Sequence, residues 1–426
     1  MPEYNLIKKV SIYTSANILV KAIPFLLLPV LTRYLSPSDY GIIAIFQVIL
    51  AFLIVFIRLN SNGAVMVNFF KLDKQKLRIY LGNVFLVILT DFILVFALLY
   101  IFRASFSHLL RFPRLWLSIA ILIALGEVII SLVLVLWQAE QKALSFGLFN
   151  VTNAVTNVGF SLFFVVLLGL HWQGRLLGIS FTSLIFALIG IFILCKRGYL
   201  KFSLDKKYVK DILLFGIPLI PYALGGWIIT SIDRIFINSM VGLGSTGIYT
   251  VGYQVGMIIG LLGTSFNTAW TPFLFKKLEE NNYATKIRIV KYTYIYSLSL
   301  LGLALLLGFV APTLLRFLVG KSFYGASQYV IWIALGFAFE GVCLVVGNYI
   351  FYVKKTYLLS LITISCGLLN IGLNYLLIKC NGALGAAQAT FLTYVIFCLG
   401  TWALSTRVYK MPWHLGFLAL LKGKHS

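Results

Sequence analysis

The sequence predicts an all-α integral membrane protein, with about twelve transmembrane helices in two six-helix lobes. The lobes are related by a parallel pseudo-two-fold repeat around a central cleft. Three observations carry this reading. The chain of 426 residues is 61% hydrophobic and only 11% charged, with a mean hydropathy of +0.97, whereas soluble domains are nearer half apolar and a quarter charged. The apolar residues fall in continuous runs of spanning length rather than in alternation, which argues for helices over a β-barrel. A short message also recurs in the two halves: Arg33-Tyr-Leu-Ser-Pro-Ser-Asp-Tyr-Gly41 in the first, and Arg234-Ile-Phe-Ile-Asn followed by Ser245-Thr-Gly247-Ile-Tyr249 in the second.

The spanning windows fall at about 11–32, 41–58, 80–101, 115–137, 147–170 and 176–194 in the first lobe. In the second they fall at about 212–238, 247–270, 292–318, 328–352, 357–378 and 383–405. The predicted organisation is an N-lobe over 1–195, a basic cytoplasmic linker over 196–211, a C-lobe over 212–406 and a cytoplasmic tail over 407–426. The apolar part of that tail, 411–421, is expected at the membrane surface. The loops leave no room for a separate catalytic domain, so no enzyme activity is expected. A cleavable leader is not expected either, because the first apolar run is too long and lacks a small-residue cleavage site.

Placing the N-terminus inside puts 25 Lys and Arg residues on the cytoplasmic side and 9 outside, with Lys21 within the first helix. This bias predicts a multi-pass protein with both termini cytoplasmic. It accounts for much of the formal +23 charge, so the basic balance points to anionic membrane lipid and not to nucleic acid. The five cysteines show no CxxC or Cys/His ligand spacing, and a firm metal site is not expected.

The repeat extends beyond its opening. The arginines of the two messages are 201 residues apart and the glycines 206, so the second loop is five residues longer. The sixth helix opens with Gly174-Arg-Leu-Leu-Gly178 and the twelfth with Gly382-Ala-Leu-Gly385. Pro24 and Pro29 in the first helix match Pro218 and Pro221 in the seventh. Six helices per lobe start both lobes on the same side, as in parallel transporter repeats. Proline inside a spanning helix frees a carbonyl that protein or water must satisfy, so the matched prolines predict cleft-lining helices.

Ser36-Pro-Ser-Asp-Tyr-Gly41 after a proline-containing first helix, Gly382-Ala-Leu-Gly-Ala-Ala387 opening the last, and the two-lobe plan together resemble the Wzx-type polysaccharide flippases. These belong to the multidrug/oligosaccharidyl-lipid/polysaccharide exporter superfamily, and the resemblance covers nearly the whole chain. It implies a bacterial plasma-membrane flippase working by alternating access. The implied cargo is an undecaprenyl-diphosphate-linked oligosaccharide repeat unit, moved from the cytoplasmic to the outer face for O-antigen or capsule synthesis. Other polysaccharide assembly proteins are its implied partners.

A diphosphate cannot cross lipid unpaired, so cations in spanning segments are the first candidates. Lys21 lies mid-helix near Pro24, and Arg58 ends the second helix on the cytoplasmic side. Both resemble cleft-lining basic positions on the first two helices of lipid II flippases. Arg33 and Arg234 hold matched places in the two messages. Intramembrane carboxylates are the candidates for coupling to an ion: Asp91 and Glu127 in the first lobe, Asp233 in the second. Asn370 and Asn374 share a helix face. With Asp233 and Thr390 they offer oxygen ligands of the kind a Na⁺ ion prefers, so Na⁺ or H⁺ is the expected coupling ion and no other cofactor is expected.

Three alternatives stand beside this reading, one of them a purely structural membrane scaffold, which gives no reason for charges at mid-helix. A multidrug/ion antiporter of the same superfamily would favour acidic groups for cationic drugs, whereas the first two helices here carry Lys21 and Arg58. An integral membrane polymerase or glycosyltransferase would need a sizeable outer loop, and the outer loops here are short.

Overall fold

The computed structural model describes residues 2–280 and 282–414, with the side chains of residues 2–11, 14, 18 and 21 left outside that description. The first helices are α1 (Pro2–Tyr34), α2 (Pro37–Arg58), α3 (Ser61–Phe69), α4 (Lys74–Ile101), α5 (Arg103–Leu110), α6 (Arg114–Ala139), α7 (Ala143–Leu162) and α8 (His171–Lys196). They are followed by α9 (Lys206–Gly216), α10 (Ile220–Met240), α11 (Leu243–Glu279), α12 (Tyr283–Leu318), α13 (Ser327–Tyr352), α14 (Tyr357–Asn381) and α15 (Ala383–Val408). No strand occurs among the described residues. Among the described residues twelve helical stretches are long and apolar enough to cross a membrane, and the protein is a multi-pass membrane protein. Large apolar side chains such as Phe309 and Leu167 stand fully outward, as expected where lipid is the solvent.

The opening message is a helix-start signal. Ser36 is the N-cap of α2 and Pro37 its first residue, where a missing N–H costs nothing. The Asp39 amide donates to the Ser36 hydroxyl at 3.1 Å, and the Ser36 amide donates back to the Asp39 carboxylate at 3.0 Å. This reciprocal box satisfies two orphan donors of the first turn. In the second half Gly242, at φ +131°, opens α11 instead.

Pro24 and Pro29 lie inside α1. Pro218 and Pro221 do not kink a helix interior. Pro218 falls in a short 3₁₀ turn, Ile217–Leu219, and Pro221 is the second residue of α10. They form the joint between α9 and α10, at positions where proline removes no required hydrogen bond.

The chain divides into two compact units, Met1–Trp227 and Ile228–Ser426. The break falls inside α10, later than residue 212, where the hydropathy pattern opens the second lobe. The reason is packing. The Tyr80 hydroxyl donates to the Asp211 carboxylate on α9 at 3.0 Å. A Cβ at Gly216 would lie 2.1 Å from the Leu59 carbonyl oxygen. The Trp227 indole N–H donates to the Val48 carbonyl at 3.1 Å, and its ring lies 5.0 Å from that of Phe52. The basic stretch 196–210 thus ends in a helix bound to the first unit. Of the tail, Met411 and Trp413 pack against Tyr349 in the second unit, and residues from 415 onward lie outside the described residues.

In the first unit α8 is pressed against α7. A Cβ at Gly178 would meet the Ser161 backbone at 2.8 Å, and one at Gly174 would meet the Phe164 carbonyl at 2.8 Å. In the second unit the matched Gly385 brings α15 onto α14, where a Cβ would lie 2.0 Å from the Leu377 oxygen. Gly382, at φ +58°, makes the turn between them. The repeated glycine motif therefore has one role in both units, the close approach of two backbones that small residues allow in membranes.

Candidate functional site

Within the first unit, α1, α6, α7 and α8 enclose an open cavity of about 310 Å³. Val20, Ile23 and Pro24 come from α1, Glu127 and Ser131 from α6, Asn150, Asn153 and Asn157 from α7, and Arg175 from α8. The three asparagines are spaced three and four apart, so one face of α7 carries an amide ladder. Asn150 extends it to Asn17 with a contact of 3.4 Å.

Arg175 closes the ladder. It is buried, with 8% of its surface accessible. Its Nη1 donates to the Asn157 side-chain oxygen at 2.6 Å and to the Ser161 hydroxyl. Gly174 and Gly178 flank it in sequence and pack against Phe164 and Ser161, the latter itself a partner of the guanidinium. A π-helical turn, Phe163–Leu167, follows α7 directly in the chain. Such turns are frequent at functional sites.

Glu127 lines the cavity from α6, and the Ser183 hydroxyl of α8 donates to the Ile123 carbonyl one turn before it at 3.3 Å. Among the described residues neither Glu127 nor Arg175 has an ion-pair partner within 4.0 Å. Charge counting along the chain puts Arg175 among the outer-side loop cations and misses this place. The available signal is its position: a lone cation between the two glycines of a helix-contact motif.

The other first-unit candidates are elsewhere. The Lys21 side chain lies outside the described residues, although its neighbours Val20 and Pro24 line the cavity. Arg58 is half-buried in the last turn of α2, which Leu59 closes in a left-handed conformation. Arg33 is exposed in the last turn of α1. It stands at the turn into α2, so roughly 30 Å of helix separates it from Arg58 at a rise of about 1.5 Å per residue. Asp91 is half-buried on α4, with one carboxylate oxygen buried and without a hydrogen-bond partner. Among the described residues neither Asp91 nor Glu127 is paired with Arg58.

In the second unit Asp233 and Arg234 form a buried pair, with 1% and 8% of their surfaces accessible. Asp233 Oδ1 accepts from Arg234 Nη1 at 3.0 Å and from the Arg234 amide at 2.8 Å, and Oδ2 accepts from the Tyr249 hydroxyl. The guanidinium lies 3.9 Å from the centre of the Tyr253 ring and also donates to the Thr230 carbonyl. Arg33 and Arg234, matched in sequence, thus have opposite surroundings. On α14 and α15 the Asn370 amide donates to Thr393 at 2.8 Å, and the Asn374 amide donates to the Asn370 side-chain oxygen at 3.0 Å. This leaves the Asn374 side-chain oxygen and the Thr390 hydroxyl buried without a hydrogen-bond partner. Among the described residues no group of three His, Cys, Asp or Glu side chains is placed to hold a metal. The two orphaned oxygens are hard, neutral donors, and their chemistry fits Na⁺.

Among the described residues, twelve apolar helices of spanning length with charged groups buried among them define a multi-pass membrane protein. The fold is shared with two solved transporters. A lipid II flippase, MurJ, in an inward closed conformation aligns at a TM-score of 0.75 and 16% identity over 96% of this chain and 90% of that one. An inward-facing multidrug resistance MATE family transporter of the MOP superfamily aligns at 0.72 and 14% identity over 98% and 99%. The capsular polysaccharide biosynthesis protein CapF of Staphylococcus aureus is 25% identical over 409 residues, covering 92% of this chain and 98% of its own. The model of the polysaccharide biosynthesis protein family matches residues 6–278, and the chain belongs to that family.

Proposed function

We propose that this protein flips an undecaprenyl-diphosphate-linked oligosaccharide repeat unit from the cytoplasmic to the outer face of the bacterial plasma membrane, by alternating access, for surface polysaccharide synthesis. The observation that carries this reading is the cavity of the first unit, in a chain of the polysaccharide biosynthesis family. It offers amides, a carboxyl and a guanidinium, the groups that hydrogen-bond a glycan. Val20, Ile23, Pro24, Ile130, Leu134 and Ala154 supply apolar faces beside them.

In this mechanism Lys21 and Arg58 meet the diphosphate, because a charge-assisted contact offsets the loss of water as it leaves the inner surface. Arg234 plays another part. It neutralises Asp233 and holds α10 against Tyr249 and Tyr253. Net direction requires that the two end states differ in what they bind. A Na⁺ ion held by Asn374 and Thr390, or a proton on Asp91 or Glu127, would supply that difference. One charge moved across about 100 mV is worth roughly 2.3 kcal/mol, a bias of about fifty-fold.

The test is deletion of the gene in its own host. The expected result is loss of surface polysaccharide, with carrier-linked repeat units accumulating on the inner face. Normal surface polysaccharide in the deletion strain, with no accumulated intermediate, would overturn the reading.

A further inference from the structure

Arg175 poses a chemical question that its neighbours leave open. It is more than nine-tenths buried, and a buried guanidinium requires compensation. Its two side-chain partners, Asn157 and Ser161, are neutral, and both are reached through Nη1. Arg175 also lines the cavity. Glu127 lines the same cavity, beyond ion-pair distance of Arg175. Opposite charges are therefore displayed apart, the guanidinium fixed by neutral partners, with the amide ladder of Asn150, Asn153 and Asn157 alongside.

A ligand that completes this arrangement needs an acid for the guanidinium, which binds carboxylates through a planar fork of donors. It also needs hydroxyl donors for Glu127, which accepts when ionised, and mixed donors and acceptors for the amides. A neutral sugar leaves the guanidinium unmatched. A bare phosphate has no row of hydroxyls for the ladder. The volume of about 310 Å³ is at the small end of ligand sites, which run to about 1,000 Å³, and suits a single ring.

We infer that this cavity is a subsite for one carboxylate-bearing sugar of the cargo glycan, with Arg175 binding the acid and Asn150, Asn153, Asn157 and Glu127 reading the hydroxyls. The inference rests on the flippase reading for the origin of the sugar, but the subsite is testable without transport.

The experiment is saturation-transfer NMR on the detergent-solubilised full chain. The probes are D-glucuronate, D-galacturonate and N-acetylneuraminate, each paired with its neutral counterpart D-glucose, D-galactose or N-acetylmannosamine. At least one acid is expected to bind about tenfold more tightly than its neutral partner, the range of a single charge-assisted hydrogen bond. Arg175→Gln should abolish that preference, and Ala154→Phe, which fills the cavity without altering any charge, should abolish binding of acid and neutral sugar alike. Equal binding of every acid and its neutral partner by the unaltered protein overturns the inference with no variant needed. A preference that survives Arg175→Gln, or binding that survives Ala154→Phe, also overturns it. Selective binding in a protein that moves no lipid-linked glycan in proteoliposomes sinks the flippase reading and leaves the subsite. Transport without selective binding sinks the subsite alone.

Discussion

Replacing Asp233 by alanine should destabilise the second unit severely, and replacing its partner as well should restore much of the loss. The carboxylate accepts three hydrogen bonds: two from Arg234, at 3.0 and 2.8 Å, and one from Tyr249. Bonds to charged groups are worth roughly 1.5–3 kcal/mol each, so simple addition gives about 4.5–9 kcal/mol. The orphaned guanidinium keeps the Thr230 carbonyl and the Tyr253 ring face, the latter worth up to about 2 kcal/mol when desolvated. The net loss should therefore fall near 3–5 kcal/mol, as for other buried pairs broken on one side. For a unit of this size that lowers the unfolding midpoint by roughly 6–20 °C, at about 2–4 °C per kcal/mol. The double variant Asp233→Ala/Arg234→Leu removes both charges and should recover more than half of the shift. Thermal unfolding of the purified variants in one detergent gives both numbers. A single variant as stable as the unaltered protein, or a double variant whose loss is the sum of the two single losses, would refute the pairing argument.

Three further outcomes follow from the same structure. Gly385→Val should prevent accumulation of folded protein, because its Cβ would lie 2.0 Å from the Leu377 oxygen and overpacking costs about 1–3 kcal/mol or more; Gly372→Ala, with nothing within 4 Å, should be tolerated, and equal membrane levels of the two variants would contradict the close-packing argument. Thr390→Val should leave the unfolding midpoint unchanged or raised, since the buried hydroxyl has no partner and an unsatisfied polar group costs about 1–3 kcal/mol, while any Na⁺ dependence of transport is lost; a fall of several degrees would reveal a partner in the protein. Arg58→Ala should lower export without lowering protein level, and Arg58→Lys should retain part of it because charge matters more than fork geometry for a flexible diphosphate; export at the unaltered rate in Arg58→Ala would remove Arg58 from the path of the cargo.

The helices, their number and the family were legible in the residues because they depend on local quantities. An apolar run of spanning length forms a helix wherever lipid is the solvent, since its backbone groups have no other partner. The motif at Ser36–Gly41 is a capping box and proline start, and both act within four residues of one another. The glycine pairs were equally readable as repeats, although their meaning as backbone contacts needed the neighbouring helix. Glu127, Asn370, Asn374 and Thr390 could be singled out because a polar group at spanning depth is unusual on composition alone.

What only the tertiary structure decided is which of these groups meet. Arg33 and Arg234 hold the same place in a repeated message, yet one is exposed and the other is buried against Asp233 and Tyr253. Arg175 reads as a boundary charge along the chain and becomes a buried group facing an amide ladder once α8 packs on α7. The division between the units moves into α10 for the same reason, because Asp211, Gly216 and Trp227 find their partners in the first unit. Local sequence sets whether a segment is helical through propensity, caps and hydropathy. Burial, pairing and the walls of a cavity depend on contacts between residues far apart in the chain, such as Trp227 with Val48 or Asn370 with Thr393, and no local pattern encodes those distances.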